Sequence, residues 1–556
     1  MSINNKKSAI LFPLIISGIL VLGIFIGMKL SSSRISERLL IYPRVDKVNS
    51  VLNMIEDSYV DSVPREKLEK VAIESILQKL DPHSIYIPAE ELQAVNEPLE
   101  GNFSGIGIQY NIQNDTLVVM NTVPNGPSEK VGIKAGDRIV RVNDTTMIGT
   151  KLLNDKIISK LKGKKGSAVK ISVKRFGNRD LVDFNIIRDI IPLYSIDIHY
   201  MINRETGYIK INKFAKNTYD EFLKSAKDLH AKGMKKVIID LRGNGGGYLE
   251  SVVKIADEFL DGHKLIVYQK GRAKKQINSE STPGGVCVND SLAILMDEYS
   301  ASASEILAGA IQDNDRGWIV GRRSFGKGLV QEQSSLPGGS AIRLTIARYY
   351  TPTGRCIQKP YSDNTNNYYQ ELHNRYLHGE MTLADSTHFN DSLKFKTPGG
   401  RVVYGGGGIM PDYFVPLDTS GFSHYFANIR DKSLIYKYAF FYSDTYRAIL
   451  TKFKTNRDLV SYLKKQDLKE KFIVYASKNG INGKYSDIVL SASLIENELE
   501  AYICRNFFDN DGFYPVINSI DKTIIKALEV LRSDKSLARM HHKKATMAKS
   551  QNDIGE

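Results

Sequence analysis

The stretch LAILMDEYSASASEILAGAIQD, residues 292–313, runs from an apolar strand through a serine-rich turn into a helix. Strand, tight turn and helix is the setting in which a serine hydroxyl is held beside unpaired backbone N–H groups. Ser302 and Glu305 also have the spacing of a capping box, in which Ser302 would only accept from a first-turn N–H. The two readings are compatible, because a helix N-terminus also stabilises negative charge developing on a nucleophile.

Two flanking stretches repeat this grammar. Upstream, Asp240-Leu241-Arg242-Gly243-Asn244-Gly245-Gly246-Gly247 follows the strand KKVIID and precedes a helix. Its glycines let backbone N–H groups approach a ligand, as in an oxyanion hole or a phosphate nest, although an ordinary βα loop has the same composition. Downstream, Gly326-Lys327-Gly328 follows the strand GWIVG. A lysine acts as a base only when neutral, so its ordinary pKa near ~10.4 must fall to about 7 to 8 by burial. The apolar neighbours Phe325, Leu329 and Val330 suit such a pocket, and Gln331 stands four residues on, where it could orient the amine.

Other motifs are weaker. Gly321–Lys327 fits the G-x-x-x-x-G-K of a nucleotide phosphate loop, but Gly328 stands where Ser or Thr would ligate Mg²⁺. His83, close to Asp81 in DPHS, is an alternative base for a serine. Asp509-Asn510-Asp511-Gly512 is part of a calcium-loop pattern, but Phe507 and Asn518 fill its first and twelfth positions, so a turn is expected.

The chain has 556 residues, 25% charged and 42% hydrophobic, which excludes a small binding module and a disordered chain. Its net charge of +14 is spread along the sequence, which argues against nucleic-acid binding. Cys287, Cys356 and Cys504 are far apart and offer neither a disulfide framework nor a zinc ribbon. Residues 8–28 carry no charge and have the length of one membrane-spanning helix. The expected order is a tail at 1–7, an anchor at 8–29, helices at 30–98, a β-rich module at 99–190, a strand–helix alternation at 191–420, a helical extension at 421–535 and a disordered tail at 536–556.

Taken in order, LDPHS (80–84), FSGIGIQY (103–110), GIKAGDRIVRVND (132–144), DLRGNGGG (240–247), SASASE (300–305), FGKGLVQ (325–331), IARYYTPTGR (346–355) and GGGIMPD (406–412) resemble the C-terminal processing, or tail-specific, serine proteases that carry a PDZ domain. The resemblance implies a PDZ domain inserted in an α/β serine protease core, which with the membrane anchor helix before it and the helical C-terminal extension outside it makes a multidomain α/β and β fold. It implies Ser302 as nucleophile, Lys327 as general base and Gln331 as its support, with the oxyanion hole formed by the N–H groups of Ala303 and of Gly246 or Gly247. Gly245 departs from the proline common in that family at this position. Phe103, Ser104, Gly105, Ile106, Gly107 and Ile108 would form the PDZ loop that takes a peptide C-terminus. No metal or organic cofactor is implied. The expected partners are protein substrates with accessible apolar C-termini, and the extension is a candidate for adaptor docking or homo-oligomerisation, although its sequence fits a mere packing domain equally well. The expected location is the inner membrane, single-pass, with the catalytic domain on the periplasmic side. The alternative is a non-catalytic PDZ adaptor that only holds C-termini.

Overall fold

The computed structural model describes residues 17–23, 46–113, 115–149, 154–175, 177–361, 365–383 and 391–533. The chain divides into two units, residues 1–77 and 78–556. In the first, the helix Lys47–Ser58 starts at Asp46, whose carboxylate accepts from the Asn49 N–H at 3.2 Å. The Arg65 guanidinium, at the head of the next helix, donates back to Asn53 at 2.7 Å and to Glu56 at 3.0 Å, closing a helical hairpin.

The anchor expected at 8–29 is described only at 17–23, as helix. Among the described residues no helix is long and apolar enough to cross a membrane. The expected single-pass inner-membrane placement is corrected accordingly. The tails expected at 1–7 and 536–556 lie outside the described residues.

The second unit is organised on a six-stranded sheet in the order Ile196–Met201, Thr206–Ile211, Lys236–Asp240, Ser291–Met296, Trp318–Gly321, Tyr413–Phe414. The first pair is antiparallel and the others are parallel. Alternate residues of a strand face opposite sides, and both sides here are apolar. Val237, Ile239, Leu292, Ile294 and Met296 pack on the helices Thr218–Ala231, Leu249–Asp257 and Ala303–Asp313. Ile238, Ala293, Leu295 and Val320 face the other way, where Ile524, Ala527 and Leu531 of the last described helix, Lys522–Ser533, cover them.

A second, antiparallel sheet contains Ile85–Ile87, Leu265–Lys270, Ile277–Glu280, Leu329–Ser335 and Ala341–Tyr350. The β-rich module has its own five-strand path, Ile108–Gln113, Thr116–Thr122, Arg138–Val142, Ala168–Lys174 and Val182–Ile187, with Ile108–Gln113 at one edge. It closes over a core that includes Leu117, Ile139, Ile157 and Ile171.

One reading differs from the structure, and one helix lies where the sequence is polar and irregular. The polar segment 360–395 contains the helix Thr365–Leu377, anchored by Tyr368, a buried ring that the surrounding polar composition hides. The expected turn at Asp509 is a break inside the helix Tyr485–Ile517, where Phe508 and Asp509 leave helical geometry. There Asp509 accepts from Asn121 of the β-rich module, and Asn510 donates to the Asp197 carbonyl at 2.9 Å.

Candidate active site

Parallel strands deliver their following loops to one edge of the sheet, where α/β proteins place their sites. Here Asp240, Met296 and Gly321 end adjacent strands, so the glycine loop, the serine turn and the lysine loop emerge side by side. One cavity of about 1060 Å³ is lined by Gly246, Gly247, Ser302, Ala303, Lys327 and Gln331 among others.

The serine turn and the glycine loop are laced together by hydrogen bonds. Ser300 donates its hydroxyl to the Leu241 carbonyl at 2.9 Å, and Ser304 donates to the Asn244 carbonyl at 2.9 Å. Both are fully buried, so of the three alternating serines only Ser302 remains partly exposed at the cavity. Ser302 has φ +56° and ψ −113°, a backbone conformation that costs a non-glycine residue on the order of 1–3 kcal/mol and is typical of functional turns. Gly246 lies so close that a Cβ there would sit 2.8 Å from Ser302 Cβ and 2.9 Å from the Ala303 nitrogen. Only glycine fits, and its positive φ of 104° agrees. The Gly246 N–H donates to Asn244 Oδ1 at 2.8 Å, while the Gly247 N–H has no acceptor among the described residues.

Glu305 does more than the expected cap. Its carboxylate accepts from the Ser302 N–H at 2.8 Å, and also from the Gly326 N–H at 2.7 Å, the Lys327 N–H at 2.9 Å and the Ser324 hydroxyl at 2.5 Å. It straps the serine turn to the lysine loop. Complete burial pushes its pKa up to about 7, against the pull of those four donors. Tyr349 adds a second strap, its hydroxyl donating to the carbonyls of Ser302, at 3.1 Å, and Lys327.

Lys327 lines the same cavity as Ser302. Its Nζ donates to Gln331 Oε1 at 3.0 Å, and the Gln331 amide donates on to the His83 carbonyl. Desolvation lowers the Lys327 pKa, with a further push from the Arg343 charge and an opposing pull from Asp81 and Glu305. The His83 ring is turned away, its Nε2 2.9 Å from the Tyr368 hydroxyl, and burial lowers its pKa to about 4. The segment Asp81–Ser84 contributes its backbone, and the Asp81 carboxylate shapes it by accepting from the N–H groups of His83 and Ser84 at 2.8 and 2.9 Å.

The match to protein-family models agrees with this layout. Residues 205–364 match peptidase family S41, residues 104–186 a PDZ domain, and residues 425–509 a family of unknown function. The carboxy-terminal-processing protease of Bartonella bacilliformis is 32% identical over 321 residues, covering 57% of this chain and 73% of that protein. The chain belongs to this family. Carboxy-terminal processing protease CtpB of Bacillus subtilis is 34% identical over 57% of this chain, and the chain spans 66% of its length. The photosystem II D1 C-terminal processing protease, a solved structure, is 25% identical over 56% of this chain and 89% of its own, with a TM-score of 0.34.

In this S41 peptidase the predicted PDZ residues lie apart from the cavity. Phe103, Ser104 and Gly105 belong to the strand Asn102–Gly105, which pairs with Asp189–Pro192. Ile106 and Gly107 form the link to Ile108, which opens the edge strand Ile108–Gln113. The Ile106 carbonyl accepts from the N–H and hydroxyl of Ser128, and the Gly107 carbonyl from the Val123 N–H, which ties the loop to its module.

The residues that the sequence reading missed are Asn244, Tyr349, Arg343 and the backbone of His83. Each acts through a residue far away in sequence; Asn244, Tyr349 and His83 stood in stretches already singled out, but nothing in those stretches marked these contacts, and Arg343 stood in none. A His230–Cys287–Asp290 cluster at the opposite, N-terminal edge of the strand Ser291–Met296 has metal-ligand chemistry. Its groups partner one another, with His230 Nε2 2.8 Å from Asp290, and burial pushes the Cys287 thiol far up.

Proposed function

We propose that the chain is a serine endopeptidase working through a Ser302/Lys327 dyad. The observation that carries this reading is one cavity holding a strained, partly exposed Ser302 together with a desolvated Lys327 whose amine is oriented by Gln331. Neutral Lys327 takes the Ser302 proton, and the Oγ attacks the scissile carbonyl. The N–H groups of Ala303 and Gly247 receive the oxyanion, since that of Gly246 is already committed to Asn244. Protonated Lys327 gives its proton to the leaving amine, and the acyl-enzyme is then hydrolysed by water with Lys327 again as base. The names of the relatives support C-terminal processing as the activity. The edge position of Ile108–Gln113 supports substrate C-termini adding to it as a strand, with the Phe103–Ile108 segment facing the terminal carboxylate. We place this PDZ domain at 99–190, the protease core at 191–420 and the helical extension at 421–535.

A pure adaptor would have no use for a desolvated lysine at a strained serine. The test is cleavage of a loosely folded reporter with an apolar C-terminus. Ser302→Ala and Lys327→Ala should each remove turnover, by roughly 10³-fold or more, and the double variant should lose little beyond either, because the pair acts as a unit. Activity in Ser302→Ala with a dead Ser304→Ala would overturn the assignment.

A further inference from the structure

The cavity beside Ser302 is lined by five cationic side chains, Lys216, Lys254, Lys274, Lys327 and Arg343. Three of them hold a carboxylate: Lys216 meets Glu100 at 3.5 Å, Lys254 meets Glu250 at 2.7 Å and Lys274 meets Glu332 at 2.6 Å. Lys327 is held by Gln331 and is desolvated toward neutrality. Arg343 differs from all four. It is half-buried, cannot lose its charge, and among the described residues pairs with no carboxylate.

The contacts of Arg343 leave it unfinished. Its Nη2 donates to Gln333 Oε1 at 2.9 Å and lies 3.5 Å from Asn96 Oδ1, both neutral amides, and its Nη1 and Nε make no hydrogen bond among the described residues. A partly desolvated cation without a counter-charge is unfavourable unless a ligand brings one. Arg343 lies on the strand Ala341–Tyr350, opposite Gln333, and the same strand carries Tyr349, which holds Ser302 and Lys327. Six residues at about 3.3 Å each separate Arg343 and Tyr349 along that strand. Arg343 and Ser302 line the same cavity, so a polypeptide bound across it would pass both.

We infer that Arg343 is a specificity-determining residue that takes a carboxylate of the bound polypeptide, supplied by its free C-terminus or by an acidic side chain, and so selects which chains reach Ser302. This rests on the peptidase reading of the cavity. A planar guanidinium matches a carboxylate in a fork that no lysine reproduces.

The experiment uses the full chain and fluorogenic peptides in two arms. In the first, peptides with an amidated C-terminus carry Asp or Asn at each position from four residues before to four residues after the cleaved bond. In the second, otherwise identical peptides end in a free acid or an amide. Wild type should prefer one carboxylate arm by roughly tenfold in kcat/KM, mainly through KM, as expected for one charge-assisted pair. Arg343→Gln should remove that preference, read as the ratio of carboxylate to neutral peptide within each enzyme so that any change in the base cancels, and Arg343→Lys should keep part of it. The difference between enzymes cancels any carboxylate binding at the PDZ domain, which Arg343→Gln leaves intact. A preference unchanged in Arg343→Gln, or no preference in wild type, would overturn the inference. If wild type cleaves none of the peptides, the peptidase reading fails by itself. Fluorescence anisotropy of the same labelled peptides on Ser302→Ala and on Ser302→Ala/Arg343→Gln then decides the inference, which stands only if the carboxylate advantage in Kd disappears with Arg343.

Discussion

The loops that meet at Ser302 and the helical region at 424–533 bring distant residues together by different physics. The loops converge because parallel strands in register must end at the same edge: Asp240 pairs beside Leu295, and Met296 beside Gly321. Short motifs placed right after strands therefore reveal the meeting of three segments without any knowledge of packing. The helical region converges by burying apolar side chains, Tyr438, Phe472, Ile495 and Leu499 among them, and such faces are interchangeable. Helical periodicity shows that those residues face inward but not what they face. The difference matters most at Lys522–Ser533, which lies beyond the family-model match at 425–509 and covers the sheet that carries the site.

The largest effect that would test this contrast comes from ending the chain at residue 420. That removes Ile524, Ala527 and Leu531 and bares Ile238, Ala293, Leu295 and Val320, four side chains now buried against them. At about 25 cal/mol per Å² the exposed apolar face alone is comparable to the whole stability of an ordinary domain. The truncated chain should be insoluble or molten by near-ultraviolet circular dichroism, whereas ending it after Ser533 should leave the fold intact. A folded, active 1–420 fragment would show the helical region to be an appendage.

A smaller effect probes the electrostatics of the loops. The proposed dyad needs Lys327 neutral, so kcat/KM should rise with pH through its lowered pKa and then level off. The groups acting on it are Arg343, which lowers the pKa, and Asp81 and Glu305, which raise it. Removing the cation in Arg343→Gln should move the rising limb to higher pH, measured on a peptide that carries no carboxylate. At a fixed pH on that limb the loss should be a few-fold, as expected for a partly screened charge. A limb that stays in place would mean that desolvation alone sets the pKa.

How much was legible follows from the same contrast. The strands, the serine turn, the glycine loop and the lysine loop could be read because apolar runs bounded by glycines carry local signals. The capping-box reading had Ser302 accepting from a first-turn N–H, and it hid the larger role of Glu305, whose carboxylate takes the Ser302 N–H and also reaches Gly326 and Lys327. His83 was read through its ring, while the structure uses its carbonyl, and backbone acceptors leave no trace in residue identity. Tyr349 sits in IARYYTPTGR without any feature to separate it from Tyr350. The membrane reading rested on the uncharged run at 8–28 and on the resemblance, and no described helix is long and apolar enough to cross a membrane.

The smallest effect lies where the two regions touch. Arg242, in the glycine loop, forks onto Asp240 and extends Nη1 to Asp521 at 2.7 Å, just ahead of the last helix. Asp521 also accepts from the N–H groups of Thr523 and Ile524, at 2.8 and 3.1 Å, and so caps that helix. The ion pair is partly exposed, which limits its own worth to under about 1 kcal/mol, and the cap adds about 1 kcal/mol. Asp521→Asn keeps a capping oxygen and loses the charge, whereas Asp521→Ala loses both. If the contact only closes the fold, the two variants should differ in chemical-denaturation stability by about the value of the cap and share the wild-type kcat. If it also steadies the glycine loop, both should lose kcat equally, by two- to threefold, as expected for part of such a pair, although their stabilities differ. Equal kcat loss with unequal stability would show the helical region acting on the oxyanion loop through Arg242, and an unchanged kcat in both would confine its role to covering the sheet.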